Sequence, residues 1–352
     1  KITPVFQLPI PSPLPWGDPD YLYQLLPTLN NAGYDGLQLI APTAPYGEKT
    51  ALFWDEKETP THWEYERHWY QFHLCGRLAY HPGTNGAVLI RDFHRRFGEK
   101  GNDLAALYHL TGKVLPLYNT FHAAVAPVPD LNTGGLLPFY LRRPTADPAL
   151  FANCREYVDA TLNRTELAKF APSSVAAELG RLGAEIIEKV QALQEVTLSA
   201  EHSCAAEWEQ TLLWAEITGR FALYHCAKIK AAIELGFFSV TKNLYCLEKA
   251  LAFLKEAHLC WEKLPASCRC CEQRLMLLED EKRIRTLLEE YRTRGVFLVG
   301  FDFGGFPVSA SQNEINRNVF PDYFVEEGFT FVHQQTTYDP DRGYGWLNPT
   351  GL

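Results

Sequence analysis

From Glu64 to Leu288 apolar residues return at intervals of three and four, the spacing that gathers them on one face of an α-helix. Tyr65, Trp69, Phe72, Cys75 and Ala79 share one face of a first such helix, and Glu66, Tyr70, His73 and Arg77 share another. Further along, Leu179, Leu182, Ile186, Val190 and Leu193 repeat the pattern, as do Leu244, Leu247, Leu251, Leu254 and Trp261. The run from Trp208 to Leu235 is apolar on more than one side, which predicts a central, well-buried helix. These stripes predict a large antiparallel helix bundle. Pro127, Pro129, Gly134, Gly135, Pro138, Pro144 and Pro148 interrupt it, so residues 122–150 are expected to form a long ordered loop.

The pattern differs on either side. Val5-Phe6-Gln7-Leu8 and Leu37 to Ile40 read as short strands. Between them Asp18 can cap a helix with Pro19 at its first position, carrying Tyr21, Leu22, Leu25, Leu26 and Leu29 to a stop at Asn31-Ala32-Gly33. Strand, helix, parallel strand is the unit of a β/α barrel or a doubly wound sheet. One or two such units cannot close an eight-stranded barrel, so this segment is expected to be the end of one. After Arg294, Val296 to Gly304 and Phe329 to Val332 read as strands beside Gly turns, the beginning of a β-sandwich. The expected fold class is thus α/β plus mainly α, in three parts. They are a terminal barrel segment (1–63), a helical bundle (64–294) and a truncated β-sandwich (295–352).

Composition narrows the function only where it departs from the ordinary. A net charge of −9 argues against nucleic acid, whose phosphates need clustered Lys and Arg. No apolar run reaches membrane-spanning length. The 8 Trp, 17 Tyr and 21 Phe suit sugar-stacking surfaces and large cores alike. Nine Cys, an odd number, read as mostly free buried thiols. Cys268-Arg269-Cys270-Cys271 lacks the two-residue spacing of paired zinc ligands and reads as a loop between helices. No metal and no cofactor are expected.

Trp69 to Pro82, WYQFHLCGRLAYHP, resembles the helix that follows the last barrel strands of α-glucuronidase-type glycoside hydrolases, and RDFHRRFG (Arg91 to Gly98) resembles the next helix of that family. His81-Pro82 stands where that pattern has an asparagine- or aspartate-proline stop, and two extra residues precede Gly76-Arg77-Leu78. The resemblance covers residues 16–120. In the tail, FDFGG (Phe301 to Gly305), Gly328-Phe329, Thr337-Tyr338 and Gly343-Tyr344-Gly345-Trp346 resemble the opening of malectin- and galactose-binding-like β-sandwich modules of pectin-active enzymes. Together these resemblances imply part of a carbohydrate-active enzyme, a glycoside hydrolase of uronic-acid-containing or pectic glycans. They also imply that its catalytic carboxylates lie upstream.

Hydrolysis of a glycosidic bond needs two carboxyl groups at the carboxyl ends of the strands. Glu48, with Lys49 beside it, lies in the loop that leaves the second strand, whereas Asp35 sits at the opposite end as a turn or cap. Neither matches a family catalytic carboxylate, so no catalytic residue is assigned. Glu48 and Lys49 are expected to line the site with Asp18, Trp16 and Trp54, since a Trp in a loop is free to stack on a sugar. Arg77 is expected to anchor its helix to the barrel through an ion pair, and Trp69 and Phe72 to pack there. The expected partner is an oligosaccharide or polysaccharide, without nucleic acid or membrane; a homodimer through the helical domain is open. A secreted or periplasmic location fits this reading, though nothing in the sequence specifies one. The rival reading is a non-catalytic glycan-binding or scaffold protein.

Overall fold

The computed structural model describes residues 5–9, 17–40, 68–121, 136–195, 204–264, 271–293, 301–302 and 330–331. The chain divides into two compact units, Lys1–Glu289 and Glu290–Leu352.

The first unit opens with strand β1 (Val5–Pro9), helix α1 (Pro19–Asn31) and strand β2 (Gly36–Ile40). The strands run parallel in the register Val5↔Gly36 to Pro9↔Ile40. Asp18 caps α1: its Oδ1 accepts from the Asp20 N–H at 3.0 Å, and Pro19 starts the helix where a missing N–H costs nothing. At the other end Gly33 takes φ +81°, a conformation that glycine adopts without strain. Leu22 and Leu29 bury the inner face.

Helices α2 (Trp69–Tyr80), α3 (Gly86–Phe97) and α4 (Gly101–Phe121) follow. Asn85 caps α3 through the Ala87 N–H at 2.8 Å. A 3₁₀ turn, Gly98–Lys100, joins α3 to α4 so closely that a Cβ on Gly101 would lie 2.5 Å from the Phe93 carbonyl. In α2 the buried residues are Tyr70, Gln71, Leu74, Cys75 and Leu78, while Ala79 is exposed. That corrects the expected stripe, which is rotated from the real one because α2 turns Tyr70 inward rather than Phe72.

The bundle proper consists of α5 (Leu137–Arg142), α6 (Cys154–Leu162), α7 (Pro172–Gln194), α8 (Ala205–Thr241), α9 (Leu244–Glu262) and α10 (Cys271–Thr293). Helix α8 is 37 residues long, roughly 55 Å, and packs against α4, α5, α6, α7 and α9. As the sequence predicts, it is buried on several sides, and Leu179, Leu182, Ile186, Val190 and Leu193 of α7 all point into the core. In α9 the core is built by Cys246, Leu247, Ala250, Leu254, Ala257 and Trp261, with Leu244 and Leu251 half-buried. Where α7 meets α8, Gly183 and Gly219 bring the backbones together: a Cβ on Gly183 would stand 2.7 Å from the Gly219 carbonyl.

The expected 122–150 loop needs correcting. Residues 122–135 lie outside the described set, but Pro138 falls in the first turn of α5, where proline is preorganised for a helix. The α5 N-terminus is capped from α10: both carboxylate oxygens of Asp280 accept from the Leu137 N–H, at 2.9 and 3.1 Å. Lys228 of α8 stands 3.3 Å from Asp280, both side chains being sealed from solvent. Tyr140 of α5 bonds His225 Nδ1 of α8 at 2.7 Å.

Of residues 295–352, only β3 (Phe301–Asp302) and β4 (Thr330–Phe331) are described, and they pair in parallel. A β-sandwich is not supported by this pair; the rest of that expectation, with Gly343 to Trp346, lies outside the described residues. So do Cys268 and Cys270. Among the described residues no group of His, Cys, Asp or Glu could hold a metal ion, and no helix is long and apolar enough to cross a membrane.

Candidate functional site

In a strand–helix–strand unit, the helix that follows a strand begins at the strands' carboxyl edge, the edge that carries ligands in sheets of this kind. Here α1 begins at Asp18 after β1; α2 begins at His68, and residues 41–67 between it and β2 lie outside the described set. The two starts touch. A Cβ on Gly17 would lie 2.3 Å from Cδ1 of Tyr70, so only glycine lets that ring press on the backbone ahead of α1. The Tyr23 hydroxyl of α1 donates to the Thr84 carbonyl beyond α2, tying the pair at a second point.

Tyr70 is the centre of the cluster. Its ring lies edge-on to Phe93 at 4.5 Å and to Tyr108 at 5.5 Å, and parallel to His109 at 5.9 Å. Its hydroxyl sits 2.7 Å from His109 Nε2. Burial pushes the Tyr70 hydroxyl well above its ordinary range, while burial lowers the His109 imidazole to about 4. At neutral pH the phenol therefore donates, Nε2 accepts, and the imidazole proton sits on Nδ1.

Carboxylates and a lysine complete the edge. Asp18 is buried over Gly112 of α4, which has no side chain to displace it: a Cβ there would come within 2.9 Å. Burial raises the Asp18 carboxyl, an effect partly offset by Lys113. Lys113 itself pairs with Asp20 at 3.5 Å. Asp18 is thus a helix cap inside the protein and Asp20 half of an ion pair. Chemically, the described edge offers a neutral imidazole, a phenol and hydrogen-bond donors.

The rest of α2 is braced sideways. Arg77 Nε donates to His73 Nε2 at 2.8 Å and lies 3.9 Å from Asp92 of α3, which also meets His73 at 2.9 Å. Arg77 thus joins α2 to α3, which corrects the expected anchor onto the barrel segment. Trp69 packs on Phe93 at 5.0 Å with the Arg96 guanidinium 4.4 Å over its ring, and Arg96 pairs with Glu207 of α8 at 3.1 Å.

At the α2 N-terminus no side chain caps the helix, and its first turn has no acidic residue. Gln71, in that turn, is 1 % exposed, and neither its Nε2 nor its Oε1 has a hydrogen-bond partner. The indole Nε1 of Trp69 is buried and unbonded as well.

Of the residues expected to line a sugar site, only Asp18 is described, at this edge. Trp16, Glu48, Lys49 and Trp54 lie outside the described residues. Sequence reasoning placed Tyr70 on a helix face without a role and passed over Gln71, His109 and Lys113. The signal was Gly17 directly before Asp18, a glycine that makes room for a ring far along the chain.

No family model matches the sequence, and no curated protein does either. Among solved structures the fold is similar to that of a GH138 enzyme targeting pectin rhamnogalacturonan II, at a TM-score of 0.63 and 16% identity over 82% of this chain. The likeness is one of fold. The match spans 48% of that chain's length. A malectin-like module and a closed barrel are not shown by it.

Proposed function

We propose that this chain is part of a carbohydrate-active enzyme, a glycoside hydrolase acting on pectic, uronic-acid-containing glycans. The fold it shares with the pectin-targeting GH138 enzyme over 82% of its length is the observation that carries the reading. Helix α2 (Trp69–Tyr80) supports it by starting against the start of α1, the helix that leaves β1, on the side where strand–helix–strand units carry ligands. Asp18 is committed to a cap and Asp20 to Lys113. Neither is therefore assigned as the acid or the base that hydrolysis requires.

The test is to incubate the protein with oligosaccharides prepared from pectic rhamnogalacturonan and with neutral glucans of similar size. Products are followed chromatographically and binding by calorimetry. Binding or cleavage confined to the pectic set is expected. Binding without cleavage favours the glycan-binding alternative over the enzyme, and indifference to both sets overturns the carbohydrate reading.

A further inference from the structure

We infer that the first turn of α2 is a subsite for the carboxylate of an acidic sugar; the inference rests on the pectic reading above and names the group that this edge recognises. Helix α2 is twelve residues long, and the N–H groups of Trp69, Tyr70 and Gln71 point out of its N-terminus without intrahelical acceptors. Such an end carries a partial positive charge and receives anions. Its neighbour provides the contrast: α1 begins a few ångströms away with Asp18 as its own carboxylate cap, whereas α2 has neither a capping side chain nor an acid in its first turn.

The second observation is Gln71. Helical side chains lean toward the N-terminus, so an amide at the third position of α2 is directed into the same turn. It is 1 % exposed and makes no hydrogen bond with either atom. A buried amide left unbonded is destabilising, so such a group marks a place where a partner can bind. Beside the backbone amides and the buried His68 ring, the Gln71 amide brings a donor, Nε2, and an acceptor, Oε1, to the turn. A carboxylate answers the donors and a sugar hydroxyl answers the acceptor. A uronate residue carries both on one ring; a neutral hexose carries only the second.

The test uses the whole chain, with a trigalacturonate as probe and its fully methyl-esterified form as the neutral counterpart, by isothermal titration calorimetry. The wild type is expected to bind the acid at least tenfold more tightly than the ester. Gln71→Glu keeps the size of the side chain and suits the helix dipole, circular dichroism and a thermal melt check that the buried charge leaves the fold intact, and the new charge repels the ligand. It is expected to weaken binding of the acid at least tenfold and binding of the ester by much less. Gln71→Leu, a second variant against misfolding of the first, is expected to lose most of the discrimination. Equal binding of acid and ester by the wild type, or Gln71→Glu binding the acid as well as wild type does, overturns the subsite while leaving the pectic reading intact. If the wild type binds neither form, the pectic reading itself fails. Unchanged binding in Gln71→Leu, together with a gain in stability, would mean that Gln71 meets only a buried water, and that too overturns the subsite.

Discussion

At the scale of single residues, His109 makes the sharpest demand on conditions. Its imidazole is held at about 4 by burial, against Tyr70 on one side and with Asp20 and Lys113 acting on it from the other. An unfolded chain protonates a histidine near 6.5, so between about 6.5 and 4 the unfolded state binds the extra proton. Stability is therefore full above about pH 6.5 and is lost as the pH falls through that window. Allowing for partial exposure, the loss due to this residue is on the order of 2 kcal/mol. His73, lowered by burial, acts in the same direction, whereas Asp18, raised by burial, acts oppositely as it takes up its proton. Comparison with His109→Gln isolates the one group, because glutamine can still accept from the Tyr70 hydroxyl but does not titrate. In urea melts at pH 7.5 and 4.5, the wild type should lose about 2 kcal/mol more than the variant; parallel losses would show that His109 protonates freely in the fold.

At the scale of elements, the α5–α8–α10 junction shows why one interaction can be invisible in sequence and still set a boundary. Leu136 precedes α5 and has no oxygen with which to cap it, so Asp280 supplies the cap from α10 and Lys228 balances the charge from α8. Burial pushes the Asp280 carboxyl up and pulls the Lys228 ammonium down, and each is partly rescued by the other. Lys228→Met alone should cost about 3–5 kcal/mol, because it leaves a buried carboxylate uncompensated. Adding Asp280→Asn removes that charge but keeps an oxygen for the Leu137 N–H, so the double variant should be more stable than Lys228→Met alone. Urea midpoints decide it: if the two losses simply add, the pair is not coupled. Local signals in this chain were readable, among them the Asp18-Pro19 start, the Gly33 stop and the Leu179-to-Leu193 stripe, because each works through neighbours within a turn or two. The α5 cap spans 143 positions, so residues 122–150 read as loop from their prolines alone. The face of α2 was misread for a related reason: the choice of Tyr70 over Phe72 as the inward ring is made by the space at Gly17, not by α2. At the candidate site, Asp18 was legible as a cap, whereas the Tyr70–His109 bond and the unbonded Gln71 depend on packing that no local pattern encodes.

At the scale of the whole molecule, cohesion is unevenly spread, and hydrogen exchange should show it. Helix α8 is enclosed by α4, α5, α6, α7 and α9, and its backbone meets α7 at the Gly183–Gly219 contact, where no side chain separates the helices. Amides at its centre, near Phe221 to Ile229, can open only when much of the bundle opens with them, so they should exchange at the global limit. Strands β1 and β2, in contrast, bond only to one another among the described residues, and a two-stranded sheet is marginal in water without further strands or a covering helix. Helix α1 returns Leu22 and Leu29 to the interior, and α2 leans on α1 through Tyr70 and Gly17. The 48% overlap with the pectin-targeting chain concerns fold alone, so the strand pair must be judged on its own contacts. Exchange followed by mass spectrometry should find β1 and β2 opening at least a hundredfold faster than the centre of α8, with α1 between them. If the strand pair were as protected as α8, it would be bonded into a larger sheet, and the carboxyl edge where α1 and α2 begin would be a more closed site than the one argued here. If it opens as expected, ligand binding at the first turn of α2 should slow exchange in α1 and α2 before it changes α8, because those helices share the Gly17–Tyr70 contact while α8 already sits at the limit.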